Sequence, residues 1–165
     1  MIKIPFSKPS INNDDIKRVN TAIKSGWLTH GRNSLKFEKL FCNYTKSKYS
    51  TTVSNCTSGL HLACMAIGLK KGDEVIVPAQ THTATAHAAE LTGAKVIFGD
   101  VDPLSGNILF SEIKKKVSKK TKCIIIVHMA GYACDMDNIY NFCKKNKIKL
   151  IEDCAHAVGT KYKNK

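Results

Sequence analysis

The sequence predicts an α/β fold, a three-layer sandwich in which a mostly parallel sheet is wrapped by helices. Two patterns carry that prediction: short β-branched runs recur along the chain, and segments of helical period separate them. The chain is also long enough, with 165 residues of which 43% are hydrophobic, to bury one sizeable core.

The elements follow in order. Ile16, Val19 and Ile23 fall on one helical stripe after polar Asn12 and Asn13, and Gly26 is placed to end that helix. A second helix is expected over Ser34 to Tyr44, with Leu35, Leu40 and Phe41 apolar. The β-rich stretch Tyr49 to Ser54 then leads into Cys56-Thr57-Ser58-Gly59. Helix and strand alternate from there: helix at Leu60 to Leu69, strand at Glu74 to Val77, Ala-rich helix at Thr81 to Leu91, strand at Lys95 to Phe98. A helix at Ser111 to Val117, a buried strand at Lys122 to Val127, a helix at Met136 to Lys145 and a strand at Ile148 to Ile151 complete the pattern. Repeats, linkers and low-complexity segments are not expected beyond the lysine clusters.

Composition excludes several classes of function. The longest apolar run, Cys123 to Val127, stops at His128, far short of the ~18 residues of a membrane span. Pro5, Pro9 and two aspartates occupy the N-terminal stretch where a secretory signal would be apolar, so a cytoplasmic location is expected. Seven cysteines, an odd number with no C-x-x-C pair, fit neither a disulfide scaffold nor a zinc ribbon. His82 and His87 are five apart and miss the four-residue step that puts two ligands on one helix face, so no metal site is expected. The balance of 26 basic against 13 acidic residues gives +13, which invites a nucleic-acid reading. Only two of those cations are arginine, the residue that reads bases and phosphates bidentately, so the charge is read as solvation and neither nucleic acid nor membrane is expected as a partner.

Open parallel sheets bind ligands at the carboxyl ends of their strands, and the residues just past the runs are polar here. Asn55-Cys56-Thr57-Ser58-Gly59 offers hydroxyls and backbone N–H groups at a helix N-terminus, suited to a phosphate; Thr57 and Ser58 are equally well read as a plain N-cap. Pro78-Ala79-Gln80-Thr81-His82 follows the next run, and His82 alone reads as an ordinary half-buried histidine. Glu152-Asp153-Cys154-Ala155-His156 follows the last run, where Asp153 could meet a buried cationic ring nitrogen. His61, His87 and His128 read as packing or surface residues, and Trp27 as a core anchor. A nicotinamide site has no support, because no strand is followed by G-x-G-x-x-G.

The ordered series Gly26-Trp27-Leu28-Thr29-His30-Gly31, Cys56 to Ala63, Lys71 to Pro78, Ala94 to Pro103, His128 to Asp137 and Ile151 to Ala157 resembles the DegT/DnrJ/EryC1/StrS family of pyridoxal phosphate-dependent sugar aminotransferases. The resemblance runs from about Pro5 to the last residue. It implies an aspartate aminotransferase-like (type I) large domain with pyridoxal 5'-phosphate as cofactor. Thr57 and Ser58 would bind the cofactor phosphate, His82 would stack on the pyridine ring where many relatives carry Trp, Phe or Tyr, and Asp153 would pair with the protonated ring nitrogen. His156 would contact the phenolic oxygen, and Trp27 and Thr29 lie in the stretch that approaches the sugar-nucleotide substrate. The implied reaction moves an amino group, with glutamate the expected donor, onto a nucleotide-linked keto-deoxysugar in amino-sugar and surface-polysaccharide biosynthesis.

The family's Schiff-base lysine follows a serine roughly thirty residues after the position of Asp153, whereas the sequence ends twelve residues after it. Residues 1–165 are therefore expected to be the N-terminal part of the large domain of a longer enzyme, inactive by themselves. The rest of that domain and a C-terminal small domain would lie outside them. Strand 49–54 would pair in the family with strands that follow the lysine, and the full-length protein is expected to be a homodimer. The alternatives are a pyridoxamine phosphate-dependent sugar dehydratase of the same family and a catalytically inactive binding or regulatory module.

Overall fold

The structure is a computed structural model that describes residues 8–164. The chain divides into two compact units, residues 1–52 and 53–165.

In the first unit, α1 (Asn13–Lys24) is set by its start: Asn12 Oδ1 accepts the N–H groups of Asp14 and Asp15, and the Asp15 carboxylate accepts the N–H of Asn12. That reciprocal box satisfies donors that the first turn leaves without helical partners. α2 (Arg32–Thr45) begins at Gly31 and covers the expected second helix with one or two residues to spare at each end. The stretch 49–54, expected as a strand, forms no sheet ladder among the described residues. The Thr52 N–H, which a ladder would use, donates to the Glu38 carboxylate at 2.7 Å instead.

In the second unit, β1 (Glu74–Pro78), β2 (Lys95–Gly99), β3 (Thr121–Val127) and β4 (Lys149–Asp153) form a parallel sheet of order β2-β1-β3-β4. α3 (Cys56–Ala66) and α4 (Thr83–Glu90) supply one covering layer, and α5 (Phe110–Lys116) and α6 (Met136–Asn146) supply the other. The alternation of a strand sorts the core by parity. Val75, Val77, Cys123 and Ile125 pack with Leu60 and Cys64 of α3 and Ala88 and Ala89 of α4. Ile76, Ile124 and Ile126 pack with Ile113 of α5 and Ile139 and Cys143 of α6. The central strands β1 and β3 are buried on both faces, which is why they read as unbroken apolar runs.

The chain winds from β1 outward to β2, then crosses to β3 and on to β4, so the winding direction reverses between β1 and β3. Reversal at that point opens a crevice at the carboxyl ends of the strands. Register places Val127 beside Asp153 and Ile126 beside Glu152, so Asp153 emerges toward α3 and α4 while Glu152 emerges toward α5 and α6. Among the described residues, no helix is long and apolar enough to cross a membrane.

Candidate functional site

Asp153 ends β4 and is 5% exposed. Its carboxylate is held from three sides. Oδ2 accepts the Thr85 hydroxyl at 3.0 Å, and Oδ1 accepts the Ala155 N–H at 3.1 Å and the Cys56 thiol at 3.6 Å. Thr85 is fully buried on α4 and lies 2.8 Å from the Thr81 hydroxyl; because Thr85 gives its proton to Asp153, Thr81 is the donor to Thr85. Burial pushes the Cys56 thiol above its ordinary pKa, and the adjacent Asp153 charge adds to that shift. Cys56 therefore stays a protonated donor here rather than a thiolate nucleophile.

The N-terminus of α3 opens on the same face. Asn55 is the N-cap, accepting the Ser58 N–H at 2.9 Å, which corrects the reading of Thr57 and Ser58 as a plain cap and takes up one of the backbone donors expected there. Both residues instead occupy the first turn, with the Ser58 hydroxyl 3.4 Å from that of Ser54. No acidic residue stands in that turn. The turn itself thus carries no negative charge, although the Asp153 carboxylate lies against its first residue, Cys56, and a turn of that composition suits an anion.

His82 is exposed at the end of the β1 crossover and caps α4, its Nδ1 accepting the Ala84 N–H at 3.2 Å. This corrects the expected helix start by two residues and fixes the plane of the imidazole. His156 is exposed in the turn after β4. On the opposite face of β4, His128 is buried: its Nδ1 lies 3.1 Å from the Cys134 N–H, and its Nε2–H donates to the Glu152 carboxylate at 3.0 Å. Cys154 completes a cluster with that pair, one ligand-type atom of each lying within 4.8 Å of the others.

Trp27 and Thr29 belong to the first unit. Trp27 is 65% exposed, not the core anchor its residue type suggested. The indole Nε1–H donates to the His30 carbonyl at 3.1 Å, and the Trp27 N–H donates to the Ser25 hydroxyl at 3.2 Å. The ring rests on Gly31, where a Cβ would come within 2.3 Å of Nε1. Thr29 is exposed in the same loop. Glu38 Oε1 accepts the Thr52 N–H at 2.7 Å, the Thr52 hydroxyl at 2.8 Å and His30 Nε2–H at 3.2 Å. The Thr52 hydroxyl first, then its N–H and His30, hold the Glu38 carboxyl below its ordinary pKa.

Sequence reasoning found Asp153 but missed Thr81, Thr85 and Cys56 around it. The available signal was Thr85 on the small-residue stripe Ala84, Ala88 and Ala89 of α4, a hydroxyl among alanines facing a strand end.

The open parallel sheet, with a buried carboxylate at a strand end, is that of the α/β domain of the fold type I, pyridoxal phosphate-dependent aminotransferases, the fold of its solved structural neighbours. An aminotransferase from Psychrobacter cryohalolentis superposes with a TM-score of 0.91 at 37% identity, over 96% of this chain and 41% of that one. A Streptococcus pneumoniae protein solved in its PLP form gives a TM-score of 0.90 at 29% identity, over 96% of this chain and 44% of that one. The model of the DegT/DnrJ/EryC1/StrS aminotransferase family matches residues 9–165, and the chain belongs to that family. The GDP-perosamine synthase of Escherichia coli O157:H7 is 42% identical over 163 residues, 98% of this chain but 45% of that protein. The chain thus spans less than half the length of the relatives it matches.

Proposed function

We propose that the protein carrying this chain transfers an amino group, with glutamate as donor, to the keto group of a nucleotide-linked deoxysugar, using pyridoxal 5'-phosphate. The observation that carries the proposal is Asp153, a nearly buried carboxylate held by three donors at the carboxyl edge of the sheet. The donor set fits the cofactor. The Thr57 and Ser58 hydroxyls, in the first turn of α3 at the positive helix end, would hold the phosphate. Asp153 would hold a proton on the ring nitrogen, with Thr85 and Ala155 fixing the carboxylate so that it need not reorganise. The imidazole of His82, fixed by its capping bond, would cover one face of the ring, and His156 would lie by the phenolic oxygen. When bound, the cofactor supplies an electron sink for the carbanion left as the substrate's α-proton departs. Trp27 and Thr29 would meet the sugar nucleotide. The name of the GDP-perosamine synthase relative supports a guanosine diphosphate sugar as the substrate class.

The test is to supply the protein with pyridoxal phosphate and glutamate and to follow 2-oxoglutarate formation with and without a GDP-linked keto-deoxysugar. Amino transfer that depends on the sugar and is lost in Asp153→Ala is the expected result. Equal activity in Asp153→Ala would overturn the proposal.

A further inference from the structure

Trp27 combines two properties that seldom occur together: its ring is largely open to solvent, yet it is fixed in place. The indole N–H is spent on the His30 carbonyl, the backbone N–H on Ser25, and the ring is seated against the α-carbon of Gly31. An exposed aromatic face normally gains from burial, and one fixed in advance loses little rotamer freedom when a flat or pyranose ring stacks on it. The fixing depends on one carboxylate. Glu38, on the second turn of α2, ties His30 to Thr52 through a single oxygen, and His30 in turn supplies the carbonyl that the indole uses. Glu38 makes no hydrogen bond to Trp27, and its side chain is only 14% exposed.

We infer that Glu38 is a positioning residue: by anchoring His30 to Thr52 it holds loop 26–31 so that the Trp27 indole stands ready to stack on a ring of the nucleotide-sugar substrate. The identity of that ligand rests on the proposed function; the latch itself does not. Because Trp27 is the only tryptophan in the chain, its behaviour can be read without interference from another indole. The experiment uses the chain labelled with indole-¹⁵N tryptophan and compares wild type with Glu38→Ala, Glu38→Gln, His30→Ala and Gly31→Ala, with far-UV circular dichroism as the check on folding. Glu38→Ala and His30→Ala are expected to move and broaden the single indole N–H resonance. Gly31→Ala, which unseats the ring with the latch intact, is expected to move it in the same sense. Glu38→Gln keeps a carbonyl acceptor for Thr52 and is expected to give the smallest change.

Titration with GDP and with UDP then reads the consequence. Binding to Glu38→Ala should be roughly tenfold weaker than to wild type, a change of ~1.4 kcal/mol, with Glu38→Gln between the two. An unmoved indole resonance in folded Glu38→Ala and Glu38→Gln would overturn the latch. A moved resonance with no nucleotide binding by wild type would keep the latch and overturn the ligand reading.

Discussion

Thr85→Val tests whether the buried hydroxyl is what sets Asp153. The substitution keeps the shape and the branched carbon and removes only the donor, so it opens no cavity of consequence. Thr85 is fully buried and Asp153 is 5% exposed, so water has no ready route to replace the lost bond. Hydrogen bonds to charged groups contribute ~1.5–3 kcal/mol, and a buried carboxylate stripped of one of three donors loses an amount in that range. The Thr81 hydroxyl loses its acceptor as well, which places the expected cost near ~2 kcal/mol. For a unit the size of residues 53–165, that corresponds to a fall in Tm of about 8 °C. Thr85→Ser keeps the donor and deletes one methyl, and should cost about 1 kcal/mol, the transfer term for one carbon. Urea unfolding of the two variants beside wild type gives both numbers. A Thr85→Val protein as stable as Thr85→Ser, or more so, would refute the argument, because packing rather than hydrogen bonding would then govern the site.

The exposed Cys154 should react with a thiol reagent ahead of Cys56, whose thiol is pushed up by burial and by Asp153; buried Cys64, pushed up to about 11, should stay unlabelled until denaturant is added. Asp153→Asn should speed the labelling of Cys56, as mass spectrometry of timed samples would record. Asn12→Ala removes the acceptor at the start of α1 and should cost that helix about 1 kcal/mol, seen as faster amide exchange at Asp14 and Asp15. The backbone N–H of Ser105, and then its hydroxyl, hold the Asp102 carboxyl below its ordinary pKa of 3.8. A depressed folded value means that this contribution is present above the unfolded pKa and is lost as pH falls through the folded one. Ser105→Ala should move the Asp102 titration upward, as carbon-detected NMR would show.

Most of the α/β alternation was legible because each buried strand had to be apolar on both faces and each helix on one. β1 and β3 fall within a residue of their expected bounds for that reason. Residues 49–54 were not so constrained: a polar, β-branched stretch becomes a strand only if a neighbour takes its backbone donors, and Glu38 takes that of Thr52. Asp153 could be found because strand-end position is readable from an apolar run. Its supports could not, since Thr85 and Cys56 lie 68 and 97 residues away in sequence and meet it only once α3 and α4 pack on the sheet. The Glu38 latch is hidden in the same way, its partners on α2 and in the following loop being 14 residues apart.

The most direct test of the central claim is a ¹⁵N spectrum of the protein with pyridoxal phosphate labelled at the ring nitrogen. A bound, protonated pyridinium signal is expected in wild type, and in Asp153→Ala it should revert to the unprotonated position or disappear with the bound cofactor. A wild-type signal at the unprotonated position, or one that Asp153→Ala leaves unchanged, would contradict the claim.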